Sequence, residues 1–72
     1  MKVKTTHFTN VLSVESGTIY QIPDGTCGTV VATNGVLEPP KLLIRFDTVI
    51  DELANEPVYG WVLESVTTTT ND

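Results

Sequence analysis

The sequence predicts a small all-β protein in which about five short antiparallel strands bend into a barrel. Two glycines, Gly25 and Gly28, stand three residues apart before a β-branched run, as at a tight turn that leads into a strand. Residues 41–47 alternate apolar and polar side chains, which is the period of a half-buried strand. No helical segment is long enough for a βαβ unit, and closure into a barrel would remove exposed strand edges.

Length and composition indicate one globular domain. We place the domain at residues 1–66 of the 72 and expect the polar tail, residues 67–72, to be disordered. Hydrophobic residues make up 40% of the chain and charged residues 18%, which is a globular composition. Cys27 and His7 are the only residues of their types, which excludes a disulfide framework and a four-ligand zinc site. We therefore expect no metal and no cofactor.

The lack of a recognisable targeting signal in the sequence leads us to expect a cytoplasmic protein. Residues 1–7 lack the apolar stretch of a signal peptide, and no apolar run approaches the length of a membrane span. A single cysteine suits a reducing compartment. We expect a cytoplasmic monomer or homodimer that makes no membrane contact.

The charge balance is acidic and uneven. Nine acids against four bases give a formal net charge of −5. Nonspecific binding to nucleic acid needs clustered Lys and Arg, so nucleic acid is a disfavoured partner and a basic protein surface or basic peptide is favoured. Residues 47–72 carry six acids and no base: Asp47, Asp51, Glu52, Glu56, Glu64 and Asp72.

The first strands are short. Residues 3–14 are rich in Thr, Val and Phe, but their alternation is broken, so we expect one or two strands there. Residues 18–22 form the next β run, which Pro23 ends because proline cannot donate to a ladder. Gly25 then completes a turn.

The middle of the chain predicts two more strands and a stiff connection. Residues 29–33 read as a strand with Val30 and Ala32 on one face. The prolines at 39 and 40 favour an extended loop. In residues 41–47 the alternation predicts three core side chains: Leu42, Ile44 and Phe46.

Residues 47–55 allow two interpretations. Asp47 or Thr48 can cap one or two helical turns that Pro57 prevents from extending, and a wide acidic loop is an equal alternative. Residues 58–66 form the last strand. Tyr59, Trp61 and Leu63 share one face of it, and Val58, Gly60, Val62 and Val66 share the other. We expect Trp61 in the core, because it is the largest apolar side chain, and Tyr59 to be exposed.

Three segments of the predicted strands carry a family resemblance. They are Gly-Thr-Cys-Gly-Thr-Val-Val at 25–31, Leu-Ile-Arg-Phe-Asp at 43–47 and Gly-Trp-Val-Leu at 60–63, and together they resemble SH3-like barrel domains. Similar barrels are the KOW-type domains of ribosomal and transcription proteins, the small accessory subunit of photosystem I, and bacterial barrels with a G-T-V-V strand. The resemblance covers residues 10–66 and implies the same barrel fold here.

The chain departs from those families in two ways. KOW-type and photosystem barrels usually carry basic residues for RNA or for an acidic electron carrier, whereas this chain is acidic. Residues 47–57 form an insertion longer than a tight barrel hairpin needs. Function is therefore expected at the insertion.

The leading interpretation is a non-enzymatic protein-binding module, either an accessory subunit or an inhibitor of the immunity type. An acidic loop beside aromatic residues imitates the SH3 arrangement that binds proline-rich peptides with a basic residue. The spacing of a calcium loop is missing, so no metal site is assigned. The predicted partner-binding residues are Asp47, Asp51, Glu52, Glu56, Tyr59 and Tyr20.

Two alternatives remain. A KOW-like barrel would bind nucleic acid if the four bases converge on one face and Tyr20 or Tyr59 stacks on bases. An oligomeric enzyme could form its site between protomers. We expect His7 to be an ordinary surface or half-buried residue and Cys27 to be a partly buried packing residue.

Overall fold

The computed structural model describes residues 1–36 and 38–70, which form seven strands and one short 3-10 helix. The helix, Glu64–Val66, lies between the last two strands. The strands are β1 (Lys2–Thr5), β2 (Thr9–Leu12), β3 (Ile19–Ile22), β4 (Cys27–Asn34), β5 (Lys41–Asp51), β6 (Glu56–Leu63) and β7 (Thr67–Thr69).

The strands form one large and one small antiparallel sheet. The five-stranded sheet has the order β6-β5-β4-β1-β7, and β2 pairs with β3 in a separate hairpin. The first and last strands of the chain are neighbours, and β6 and β7 are the two edges of the large sheet. The predicted all-β antiparallel fold is confirmed, as a five-stranded sheet with a two-stranded hairpin packed on it. This arrangement is consistent with the expected barrel, but the described strands do not close into one.

The core lies between the inner face of the large sheet and the hairpin. Buried and exposed side chains alternate along β5 as predicted, and Leu42, Ile44 and Phe46 are all buried. From the neighbouring strand β6, Val58 and Val62 are buried as well. Val3, Val11 and Ile22 complete the buried apolar cluster.

Gly60 allows the hairpin to approach the sheet. A Cβ atom at this position would overlap Val11 Cγ1 and lie 3.0 Å from the carbonyl oxygen of Leu12. The contact is extended by the amide of Val14, which donates to the carbonyl of Tyr59 at 3.0 Å. The absent side chain on β6 thus lets β2 pack directly against the large sheet.

The predicted helical turns or wide loop at 47–55 are wrong. Strand β5 continues to Asp51, and residues 52–55 make a turn in which the amide of Asn55 donates to the carbonyl of Asp51 at 2.7 Å. The β-branched residues at 48–50 favour the strand. Pro57 lies inside β6, which it can do because β6 is an edge strand.

The tail prediction is wrong for three residues. Thr67–Thr69 form β7, which pairs with β1 so that Thr68 lies opposite Lys4. Three consecutive threonines suit a strand because their β-branched side chains favour extended backbone. Residues 71 and 72 of the predicted tail lie outside the described residues.

Candidate functional site

Asp51 is a buried carboxylate at the end of β5, with a side chain only 1% exposed. The hydroxyls of Ser13 and Ser16 donate to its Oδ2 atom at 2.5 and 2.6 Å. The hydroxyl of Tyr20 donates to Oδ1 at 2.9 Å. These donors come from the hairpin, so Asp51 joins the hairpin to the end of the large sheet.

Backbone amides complete the shell around this carboxylate. Those of Leu53 and Ala54 donate to Oδ1 at 3.1 and 3.2 Å, which shapes the turn after β5. The Tyr20 hydroxyl also accepts from the amide of Glu52 at 3.2 Å. A buried carboxylate with five donors has no free side for a partner. Asp51 and the Tyr20 hydroxyl therefore belong to the fold rather than to a docking surface.

The electrostatics follow from these contacts. Hydrogen bonds from Ser13 and Ser16 hold the pKa of Asp51 well below its usual range, and they outweigh burial, which acts in the opposite direction. Burial, and then the hydrogen bond to Asp51, raises the pKa of Tyr20. Asp51 is therefore an anion and Tyr20 a neutral donor at neutral pH.

Asp47 is placed apart from the other predicted acids. It lies on the outer side of β5 and pairs with Lys2, with Nζ and Oδ2 3.1 Å apart. Both side chains are partly exposed, so the pair contributes little to stability. It does neutralise the Asp47 carboxylate, which makes this residue a weaker candidate for binding a basic partner.

Glu52 and Glu56 are exposed, and the fold adds Glu15 to them. Glu15 lies between β2 and β3, far from Glu56 in sequence. A hydrogen bond with Glu56 raises the pKa of Glu15, and burial and the repulsion of nearby carboxylates add to that shift. We call Glu15, Glu52 and Glu56 the acidic end. The sequence analysis missed Glu15 because no residue near it in the chain indicates that the β2–β3 hairpin lies close to the turn between β5 and β6.

The acidic end also carries apolar surface. Leu53 at the tip of the β5–β6 turn is 76% exposed, and Ile50 is 49% exposed. Within residues 1–36 and 38–70, the one Lys or Arg in an ion pair is Lys2, which contacts Asp47. The three carboxylates of the acidic end thus have no cationic partner in that part of the chain.

The two aromatic residues of β6 face the other way from the core. Tyr59 lies opposite Arg45 and is half-buried, and Trp61 lies opposite Leu43 and is 40% exposed. The prediction of a core Trp61 is wrong, because the inward positions of β6 belong to Val58, Gly60 and Val62. Tyr20, by contrast, binds Asp51 from β3 of the hairpin.

No family model, curated protein or solved structure matches this chain.

Two other residues that the sequence analysis considered lie at the surface. Cys27 is exposed, contrary to the expectation of a packing residue, and His7 is exposed with its Nδ1 atom 3.0 Å from the hydroxyl of Thr6. In the described segments no group of three His, Cys, Asp or Glu residues could hold a metal ion, and no helix is long and apolar enough to cross a membrane.

A cavity of about 290 Å³ opens at the other end of the sheet, beside β7. Its lining includes the buried Val3 and Leu42, the threonines at 33, 67 and 69, and Met1. Glu64 is the one ionisable side chain among the lining residues. The lining therefore holds no pair of ionisable side chains for acid–base chemistry.

Proposed function

We propose that this protein is a non-enzymatic binding module that docks a basic protein surface or basic peptide through the acidic end. The observation that carries the proposal is the contact between the β2–β3 hairpin and the β5–β6 hairpin, in which Ser16 binds Asp51 and the amide of Val14 donates to Tyr59. This contact brings Glu15 close to Glu52 and Glu56, and the three acids have no cationic partner within the described residues. Accessory subunits and inhibitors of the immunity type both work by such docking. A cytoplasmic location and an SH3-like barrel are parts of the same proposal.

Charge and exposed apolar surface support this docking mode. Like charges held together are destabilising, so Lys or Arg from a partner would gain energy at the acidic end by relieving that repulsion. Arg would be favoured, because its guanidinium can bind carboxylates in a bidentate manner. Leu53, exposed at the same tip, adds an apolar contact.

The buried network beneath the acidic end supports a rigid docking surface. Asp51 binds Ser13, Ser16 and Tyr20 from one hairpin while it shapes the turn of the other. The exposed carboxylates above it are therefore presented by a preorganised backbone. Preorganisation reduces the entropy that a binding surface loses on association.

A charge-matched pair of variants tests the proposal. The first changes Glu15, Glu52 and Glu56 to Gln. The control removes the same charge from three exposed acids elsewhere: Asp24→Asn, Glu38→Gln and Glu64→Gln. The probe is a synthetic 12-residue peptide rich in Lys and Arg, titrated into isotope-labelled protein and followed by NMR.

We expect amide shifts centred on the acidic end and about tenfold weaker binding by the first variant, since each exposed charge pair contributes up to about 1 kcal/mol. The control should bind like the parent, and 0.5 M salt should abolish the shifts. Equal weakening of both variants would show that only net charge matters and would overturn the proposal.

A further inference from the structure

All four basic residues of this acidic chain lie on one face of the large sheet. Lys2 and Lys4 are in β1, and Lys41 and Arg45 are in β5. Alternate residues of a strand point to opposite faces, and the intervening residues Val3, Leu42 and Ile44 are buried inside. The four cations therefore point outward.

The strand register places these residues in rows across the sheet. Lys2 lies opposite Thr29, Thr29 lies opposite Arg45, and Arg45 lies opposite Tyr59. Residues directly opposite each other in an antiparallel ladder share a face. The ion pair between Lys2 and Asp47, which joins β1 to β5 across β4, agrees with this placement.

Two aromatic side chains occupy the same outer face. Trp61 lies opposite Leu43, two residues along β6 from Tyr59, so their Cα atoms are about 6.8 Å apart. The next row pairs Lys41 with Leu63. Trp61 is 40% exposed, which leaves part of its ring system open. Cations on β5 thus run beside aromatic residues on β6.

The charge of this face is opposite to that of the whole chain. Its outward positions in β1, β5 and β6 hold four cations and one carboxylate, Asp47. Of these cations, Lys2 is paired with Asp47, while Lys4, Lys41 and Arg45 form no ion pair within the described segments. The net charge of −5 does not reveal this separation, because it is a sum over the whole chain and carries no information about position.

We propose that the outer face of β1, β4, β5 and β6 binds single-stranded nucleic acid. Lys41 and Arg45 would contact backbone phosphates, with Lys4 at the far side of the face. Trp61 and Tyr59 would stack on successive bases. A cationic surface beside aromatic platforms binds single strands with little sequence preference, because every base has a π-face.

Single-stranded nucleic acid would use both the cations and the aromatic rings of this face. An acidic peptide would match the cations but would not use two aromatic rings at strand spacing. A duplex hides its bases in a stack, and β4–β6 present a sheet face rather than a protruding element for a groove. The surface is separate from the acidic end, so each proposal can fail without the other.

Trp61 provides the readout, because it is the only tryptophan in the chain. The experiment titrates dT12 and rU12 into the full chain at 20 mM salt while Trp61 fluorescence is recorded. Anisotropy of dye-labelled oligonucleotides measures affinity independently. Stacking is expected to quench Trp61, and the slope of log K against log salt should reach about −2, since about three cations meet phosphates and each contributes about 0.7 for a single strand.

Variants separate the two kinds of contact. Arg45→Gln should weaken binding of both oligonucleotides and reduce the salt slope by about 0.7, the contribution of one phosphate contact to a single strand. Trp61→Leu should weaken binding about 10- to 100-fold with an unchanged slope, because it removes stacking rather than charge. Asp24→Asn, an exposed acid outside the acidic end, is the control and should retain the parent's affinity.

Three results would overturn the proposal. One is the absence of both quenching and anisotropy change with dT12 and rU12 at 20 mM salt. Another is binding that Trp61→Leu and Arg45→Gln leave intact. A 12-residue Asp- and Glu-rich peptide serves as the competing probe, and tighter binding of that peptide than of either oligonucleotide would also refute a nucleic-acid site.

Discussion

Ser13 donates a hydrogen bond of 2.5 Å to Asp51, a residue 38 positions later in the chain. This hydrogen bond anchors the β2–β3 hairpin to the end of β5, just before the chain turns into β6. The same carboxylate accepts from Ser16 and Tyr20, so three donors of the hairpin converge on one acid. Asp51 therefore joins the hairpin to the large sheet through polar contacts, as Val11 and Gly60 do through an apolar contact.

Removing the Asp51 carboxylate should destabilise the fold. In Asp51→Ala the hydroxyls of Ser13 and Tyr20 lose their acceptor, and each buried donor left without a partner is costly. We expect the Tm to fall by about 5–15 °C for a chain of this size. Thermal unfolding followed by circular dichroism measures it. The control, Glu52→Gln at the next position, should stay within about 2 °C of the parent, and an equal fall in both variants would contradict the role of Asp51.

Acid should unfold the protein partly through Asp51. Its pKa is lowered in the folded state from the ordinary 3.8, so its stabilising contribution is present above that value and is lost as pH falls below it. Urea unfolding between pH 2 and pH 7 should show a steep loss of stability below about pH 4. Asp51→Ala should show a shallower loss there, and parallel curves for the two proteins would refute this explanation.

Glu15 should have the opposite pH dependence. Its pKa is raised in the folded state above the ordinary 4.5, so its charged form is disfavoured by folding. Stability linked to Glu15 therefore increases as pH falls from neutrality towards about 4.5. We expect Glu15→Gln to raise the Tm at pH 7 by about 1–4 °C, as removal of an exposed repulsion does. The increase should vanish at pH 4, and Asp24→Asn is the control that should show no such pattern.

Gly60 should not tolerate a side chain. In Gly60→Ala the new Cβ would overlap Val11 Cγ1, which forces the hairpin away from β6. Overpacking of this kind costs about 1–3 kcal/mol of unfolding free energy. Chemical denaturation measures the cost, with Gly35→Ala as the control because a Cβ at Gly35 meets nothing within 4 Å. Equal stability of the two variants would show that the hairpin does not pack closely on β6.

The strand pattern was largely predictable, because it depends on local alternation. The core residues Leu42, Ile44 and Phe46 follow from a period of two on β5, and that prediction is confirmed. The same alternation on β6 separates Tyr59 and Trp61 from the valines. The choice of which β6 face is inside went wrong for Trp61, since residue size favoured it for the core and the close approach of β2 required Gly60 inside.

The candidate site was less predictable. Four acids close together in sequence suggested one docking loop, yet Asp51 is buried and Asp47 is paired with Lys2, while Glu15 joins from another hairpin. The same limit applies to the cations. Lys4 and Arg45 are 41 positions apart in sequence and share a face only through the pairing of β1 and β5 with β4.

The sequence by itself determined the all-β class, the alternation on β5 and β6, and the excess of acids, since these depend on residue type and near neighbours. Only the tertiary structure decided that β5 extends to Asp51, that Thr67–Thr69 form a strand beside β1, and that charges of opposite sign occupy different surfaces. The physical reason is that hydrogen bonds between strands, the burial of Asp51 and the clustering of charge all join residues that are distant along the chain. Such contacts leave no mark in local sequence, because their partners are selected by packing.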